Sequence, residues 1–400
     1  MSETTSSITA ASRSEARGWI TALYFATFLV LGMSTASMGP TLPGLAGQVQ
    51  VRLSQVSILF STRASGYLVG ALWSGRLYDR RSGHPIMAVA LLGAAVMMAL
   101  VPVMPSLWML ALVMLLLGGA ESFLDVGANT LLVWLHREKV GPFMSALHFF
   151  FGLGAFLAPV IIAQVVLLTG RYSWAYWLLA LCLLPVSAAL LRPASPTSPH
   201  RDSNGRVDAP VHWPLLLLYV LLFLTFVGPE GAYGGWIYTY AVNMHLADAQ
   251  MAAYLTAAYW GSFTLSRLAS IPLAARFSPR TLLIADLVGC LVSMGMLSVW
   301  NQSVPVVWLA TILFGASIAS VFPAAISYVG EKMAITGLVT SMFFVGACLG
   351  GILLPLVIGQ FFELVGPQAV PWILFFCMIF SVGIFAAITV MQNRRIHPVG

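Results

Sequence analysis

Few ionisable side chains interrupt the long apolar runs of this 400-residue chain, and those few are its candidates for chemistry. Glu121, Asp125 and Asn129 are spaced four apart, so on a helix they form one stripe. His148 lies about six residues into the next apolar run, and Glu230 lies within Gly228-Pro229-Glu230-Gly231-Ala232-Tyr233-Gly234-Gly235-Trp236. Arg63, Arg267 and Asp286 are further charges enclosed by apolar sequence, and Glu363 stands near the end of another run. Desolvation penalises the charged form of a carboxyl, which suits a group that must load and release a proton or cation. The residue types do not suit catalysis: no nucleophile–base pair, metal-ligand cluster or soluble catalytic domain is recognisable, so neither an enzyme nor a metal site is expected. Cys182, Cys290, Cys348 and Cys377 fall in apolar runs without paired spacing and read as small hydrophobes.

The elements that hold these groups must be membrane helices. Hydrophobic residues make up 59% of the chain and charged residues 8%, against about 45–50% and about 25% in soluble domains. A spanning helix needs about 20 apolar residues. Twelve stretches qualify: 19–43, 54–78, 84–103, 107–135, 142–168 and 173–191, then 213–242, 250–275, 280–300, 304–329, 337–364 and 371–391. The expected fold is all-α, with twelve spans in two six-helix bundles, 19–191 and 213–392. A disordered tail (1–18), a Pro/Ser-rich linker (192–212) and a short C-terminal tail (393–400) complete it. Of the 19 Lys and Arg, all but Arg52, Arg63, Arg171 and Arg267 fall on the side of the termini, so both termini are expected in the cytoplasm. This bias accounts for the net charge of +6, and no nucleic-acid partner is expected.

Shifted by 196 positions, the chain matches itself without a gap. Gly32, Ala36 and Gly39 meet Gly228, Ala232 and Gly235, while Gly141, Ser145, Gly154, Pro159 and Gln164 meet Gly337, Ser341, Gly350, Pro355 and Gln360. Parallel repeats of this kind build membrane transporters. The repeat fails at the acids: Ser34 becomes Glu230, and Glu121 and Asp125 face Ser317 and Val321. Gly66, Gly70, Gly75, Gly315, Gly346, Gly350 and Gly351, at helical spacing, read as sites of close helix packing.

Gly75-Arg76-Leu77-Tyr78-Asp79-Arg80-Arg81-Ser82-Gly83 resembles the inner-loop signature of the major facilitator superfamily, with one extra residue between Asp79 and Gly83. The segment from Gly118 to Asn129 is similar to the fourth helix of the fucose permease-like branch, which includes animal sodium-dependent glucose transporter relatives. Ser145-Ala146-Leu147-His148 with Gly152, Gly154, Ala155 and Pro159 resembles its fifth helix. Val321-Phe322-Pro323 and Gly350-Gly351-Ile352-Leu353-Leu354-Pro355 resemble its tenth and eleventh. Fucose permeases carry an Asp in the first helix, where 31–43 has no acid here, and a Gln where this chain has His148.

The resemblance implies that the first, fourth, seventh and tenth spans line a central cavity, with Asp125 and Glu230 facing it from opposite bundles. Asp125 matches the family's proton-carrying acid. It also implies a latch in which Asp79, with Gly75, Arg80 and Gly83, meets the start of the eleventh span near Gly337.

Asp125, Glu121 and Glu230 are therefore the expected coupling groups, with pairing to Arg63 an alternative role for Glu121. Asn129, His148, Tyr233 and Trp236 are the expected substrate contacts; Tyr240, Tyr259 and Trp260 read as lipid-facing or interfacial. Arg267 and Asp286, at similar depth on a helical hairpin, are expected to form a structural ion pair. The expected function is secondary active transport of a small polar solute, most simply a sugar, by alternating access with H+ or Na+ symport and no other cofactor. Proton-antiport efflux of amphipathic compounds is the alternative. The expected setting is a monomer in the lipid bilayer of a bacterial inner (plasma) membrane.

Overall fold

A computed structural model describes residues 2–196, 212–330 and 337–396. All regular structure among the described residues is helical. The first half contains α1 (Ser2–Ala36), α2 (Met38–Gln48), α3 (Leu53–Val56), α4 (Ile58–Arg80), α5 (Gly83–Leu100), α6 (Leu107–His136), α7 (Val140–Thr169) and α8 (Ser173–Leu190). The second contains α9 (Trp213–Leu222), α10 (Gly228–Asn243), α11 (Ala249–Ala274), α12 (Pro279–Val299), α13 (Val304–Ile318), α14 (Val321–Gly330), α15 (Gly337–Val365) and α16 (Ala369–Ile396). The first helix begins at Ser2 rather than after a disordered tail; neither Gly nor Pro interrupts 2–17. Most of the expected linker, 192–212, lies outside the described residues.

Among the described residues, nine helical stretches are long and apolar enough to cross a membrane. One of them, Leu107–Thr169, holds both α6 and α7, joined by a 3-10 turn at Arg137–Lys139. Two other long helices, α4 and α11, fall outside that set because Arg, Ser and Thr dilute their apolar surface. Arg63, Ser61, Ser74, Thr256 and Thr264 among those polar positions are buried within the protein, while Arg76 and Arg80 are exposed.

Local signals set the helix ends. The side chains of Ser106, Asp248 and Ser278 accept from the Met109, Met251 and Thr281 amides and start α6, α11 and α12. Gly170, at φ 69°, closes α7 in the left-handed conformation. Pro229 has no N–H to continue the helical ladder, and a π-helical turn at Phe223–Val227 separates α9 from α10 just before it.

The 196-residue offset reappears in space. The starts of α5 and α12, and of α8 and α16, match it. The packing repeats as well: α1 on α7 corresponds to α10 on α15, α4 on α6 to α11 on α13, and α5 on α8 to α12 on α16. The halves meet through α7 on α11, its counterpart α4 on α15, and α2 on α10. Among the described residues, the hydrogen bonds between halves lie toward the end remote from the termini. They run from Gln360 Nε2 to the Ser54 carbonyl (3.0 Å), from Ser61 Oγ to the Ile352 carbonyl (2.6 Å) and between Gln164 and Tyr254. Glu363 lies beside the Ser54 amide at 3.5 Å.

At the other end the linker's first residues are fastened to the first half. Ser195 Oγ accepts from the His84 amide (2.8 Å), and the His84 ring bridges the Pro193 carbonyl (2.9 Å) and the Tyr24 hydroxyl (2.7 Å).

Glycine makes this packing possible. A Cβ at Gly154 would collide with the Leu29 carbonyl of α1, and one at Gly350 with the Leu224 carbonyl, the equivalent contact of the second half. Gly66 and Gly118 bring α4 and α6 equally close, the small-residue contact expected in membranes. Gly154→Ala is expected to destabilise the protein by roughly 1–3 kcal/mol, as overpacking does. Gly93→Ala, at a helical site with open space around it, should be neutral or stabilising. Thermal unfolding of the two purified variants in detergent compares them directly.

Candidate functional site

A cavity of about 370 Å³ lies between the halves. The first half contributes α1, α2, α4, α6 and α7 to its wall, and the second contributes α10, α11 and α15. On the α10 side the wall is Gly231, Gly234 and Gly235. These are the i, i+3 and i+4 positions of one helix face, so the backbone itself borders the space. Close approach enforces part of this: Gly39 of α2 abuts the Gly234 carbonyl, and Gly235 abuts the Phe60 ring.

Two rungs of polar contact join α4 to α6. In the first, Arg63 grips Glu121 with two donors, Nε to Oε2 at 2.8 Å and Nη2 to Oε1. Arg63 Nη1 also donates to the Thr35 carbonyl (3.0 Å), and Ser34 Oγ donates to Glu121 Oε1 (2.6 Å). The pair is nearly excluded from solvent, with side-chain exposures of 10% and 4%. In the second rung, one helical turn along, the Tyr67 hydroxyl donates to Asp125 Oδ2. Asn129 Nδ2 donates to Asp125 Oδ1 (2.8 Å) and to its backbone carbonyl (2.9 Å). The rungs differ chemically. Both acids border the cavity, but Glu121 is neutralised by a cation, whereas the hydrogen bonds to Asp125 among the described residues come from neutral donors.

The cavity gathers Glu121, Asp125 and His148 of the expected site residues, together with Arg63 and Arg267. His148 meets the Phe28 ring edge-on at 5.6 Å between centroids. Asn129 acts behind Asp125, outside the lining. Glu230 is next to the glycine wall; its backbone carbonyl accepts from the Tyr259 hydroxyl (2.8 Å), and its carboxylate has no hydrogen-bond partner among the described residues.

Tyr233 and Trp236 do not line the cavity, contrary to expectation. Tyr233 is bonded to Thr311 (2.7 Å) and packed against Tyr259 and Phe314, while Trp236 lies between Phe60 and Phe362. Their spacing from Glu230 is helical, but the face toward the cavity is the glycine face one residue on. Trp260, read as lipid-facing or interfacial, is 5% exposed and does line it.

The expected Arg267–Asp286 ion pair does not form. α13 packs against both α11 and α12 and stands between them. The break between α13 and α14 serves each charge separately. The Ala319 carbonyl accepts from Arg267 Nε (3.3 Å), and Ser320 Oγ lies 2.9 Å from both Asp286 oxygens. Of the expected latch, Gly75, Asp79 and Arg80 end α4, with Asp79 and Arg80 exposed, and Gly83 abuts Leu131. The segment before Gly337 lies outside the described residues.

Tyr67 was not anticipated. Its signal is present in the sequence: Arg63 to Glu121 and Tyr67 to Asp125 share one separation of 58 residues, as two helices in fixed register require. Glu121→Leu, which strands Arg63, is expected to cost about 3–5 kcal/mol, and the double variant Arg63→Met/Glu121→Leu to recover most of it. Thermal denaturation of the single and double variants measures the difference.

Residues 23–355 match the profile of the Major Facilitator Superfamily. The mouse sodium-dependent glucose transporter 1A is 31% identical over 372 residues, covering 84% of this chain and 88% of the relative. The human sodium-dependent glucose transporter 1 is 30% identical over 371 residues, covering 84% and 72%. Among solved structures, the nucleoside transporter NupG superposes with a TM-score of 0.73 at 13% identity, covering 94% of this chain and 98% of that one. A bacterial homologue of the human lysosomal transporter Spinster, inward-facing and occupied, gives 0.68 at 13% identity, covering 96% and 97%. These two likenesses concern the fold alone. The chain is a multi-pass membrane transporter of small solutes, not an enzyme, and it belongs to the major facilitator superfamily.

Proposed function

We propose that the protein is a secondary active carrier of twelve spans in two six-helix bundles, 19–191 and 213–392, which moves a sugar by alternating access in symport with H+ or Na+. The observation that carries this reading is Asp125. It is a carboxylate on the cavity wall between the halves, oriented by Tyr67 and Asn129 without a cationic partner in contact. Glu121 is already matched by Arg63 and serves as structure, so coupling rests on Asp125, with Glu230 as the second carboxylate. Sugar as solute is supported by the names of the relatives and by the cavity's mixture of aromatic faces and polar groups. Substrate contact falls to His148, Trp260 and Arg267 rather than to Tyr233 and Trp236. The basic bias puts both termini in the cytoplasm of a cell with this inner (plasma) membrane, where the protein acts as a monomer. In that orientation the hydrogen bonds between the halves lie at the outer end.

In proteoliposomes, wild-type protein is expected to concentrate D-glucose under an inward sodium or proton gradient, and only one of the two gradients should drive it. Asp125→Asn should abolish accumulation against a gradient while retaining exchange of labelled for unlabelled glucose. Full accumulation by Asp125→Asn removes that residue from the coupling role. Absence of any glucose flux in wild type, with pH-driven expulsion of an amphipathic cation instead, replaces the symport reading with efflux.

A further inference from the structure

Asp286 is the buried carboxyl that the transport reading leaves unused. It lies on α12, 8% exposed, outside the lining of the central cavity. Among the described residues the one ion pair is Arg63–Glu121, so Asp286 has no cation in contact. Its hydrogen-bond partner there is Ser320, whose Oγ stands 2.9 Å from each carboxyl oxygen. An acid within a membrane span that is neither paired nor on the solute path points to a task of its own.

The two equal distances limit where the hydrogens are. A serine hydroxyl has one hydrogen to donate and lone pairs to accept with. It serves one carboxyl oxygen as donor, and the second contact is a full hydrogen bond only when its hydrogen comes from the carboxyl. The protonated acid then donates to Ser320 Oγ from one oxygen and accepts from it at the other, a reciprocal pair without net charge. An ionised Asp286 would rest on a single neutral donor, which leaves a buried charge uncompensated. The helices packed on α12 are α13, α14 and α16. No ionisable residue lies in α13, Tyr328 of α14 donates to Gln392 (2.8 Å), and Cys377 of α16 and Cys290 of α12 are thiols. Arg267 is engaged by the Ala319 carbonyl, Arg280 is exposed at the start of α12, and Arg394 and Arg395 follow Gln392 at the end of α16.

The chain builds this pair at one place. Pro323 has no N–H for the Ala319 carbonyl four residues back, and the helix breaks there between α13 and α14. Ser320, inside the break, reaches Asp286 and also lines a second cavity of about 600 Å³. That cavity lies toward the end that carries the termini, between the start of α7 and the ends of α11 and α14. Asp286 does not line it, so Ser320 stands between the acid and the open space. Under the 196-residue offset the equivalent positions are Ala90 of α5 and Leu124 of the unbroken α6. Acid and hydroxyl are absent from the first half together.

We propose that Asp286 is a proton-binding site, filled from and emptied to the cavity on the side of the termini through the Ser320 hydroxyl. In filling, water in the cavity gives a proton to a lone pair of Ser320 Oγ while the hydroxyl's own hydrogen passes to the carboxylate, so the hydroxyl is restored and the acid becomes neutral. Emptying is the reverse. Filled, the reciprocal pair ties α12 to the break between α13 and α14. Emptied, one of its two hydrogen bonds is lost and that part of the cavity wall loosens. The wall thereby responds to pH on one side of the membrane, and the device requires neither a sugar nor Asp125.

Infrared difference spectra of the purified protein in liposomes, without solute, test the site. At neutral pH, wild type minus Asp286→Asn is expected to show the carbonyl stretch of a protonated carboxyl that shifts on transfer to D2O; Asp125 and Glu230 are common to both samples and cancel. Ser320→Ala, which keeps the acid but removes its partner, should move that band to higher frequency and slow its shift in D2O. No carboxyl band in the difference spectrum, a band already lost at about pH 5, where exposed carboxyls have ionised, or wild-type exchange in Ser320→Ala overturns the proposal. A folded state that keeps a proton the unfolded chain has released loses stability as pH rises. The melting temperature of wild type in detergent should therefore fall more steeply than that of Asp286→Asn between about pH 6 and pH 9, and equal slopes refute the site. Should Asp286→Asn fail to purify as a monodisperse protein, wild type and Ser320→Ala decide alone: identical carboxyl bands refute the site, and a shifted, slowly exchanging band supports it. A wild type that carries no glucose sinks the sugar reading and leaves each of these measurements intact.

Discussion

A charge inside the hydrocarbon layer must be answered by protein, because lipid offers neither a counter-ion nor a hydrogen bond. The architecture of this chain follows from that constraint. Arg63 and Glu121 can exist at mid-helix only because α4 and α6 lie close enough for a two-donor grip, and that closeness depends on glycines at 66 and 118 whose neighbours are carbonyl oxygens. The same register sets Tyr67 opposite Asp125. Backbone proximity and charge placement are thus one feature. A side chain that wedged the helices apart would also disarm the acids.

The two halves share a frame but divide the chemistry. The first supplies the carboxylates on the cavity wall, held by donors from its own helices. The second supplies a glycine face and a guanidinium with little to hold it. Even the helix breaks are used differently. The one between α13 and α14 presents Ala319 and Ser320 as a carbonyl and a hydroxyl to two separate charges. The corresponding stretch of α6 runs unbroken and carries Asp125. A doubled gene product can keep its fold symmetric while concentrating function where symmetry lapses.

What could be read in advance depended on the range of the interaction. The 196-residue offset and the stripe of Glu121 and Asp125 are periodic, and the structure has both, whereas the expected spans 19–43, 213–242 and 304–329 are each interrupted. The Arg63 partner of Glu121 was accessible through depth alone. Tyr67 was not, because a tyrosine on a membrane helix has many uses and only the shared spacing singles it out. Depth misled for Arg267 and Asp286, which are level but separated by α13. Helical spacing misled for Tyr233 and Trp236. Phase angle tells which residues share a face but not which face is turned inward, and in α10 the inward face is the one with no side chains.

That glycine face has an evolutionary consequence. A wall built from absent side chains is already as thin as a polypeptide allows. Substitution at Gly231, Gly234 or Gly235 can only subtract room, so along α10 the carrier can become choosier but not more permissive. Acceptance of a bulkier cargo has to originate on the opposite shore, where Phe28, Phe60 and Phe151 still have atoms to lose. Selectivity in this scaffold is free to drift in both directions on one side of the passage and in only one direction on the other.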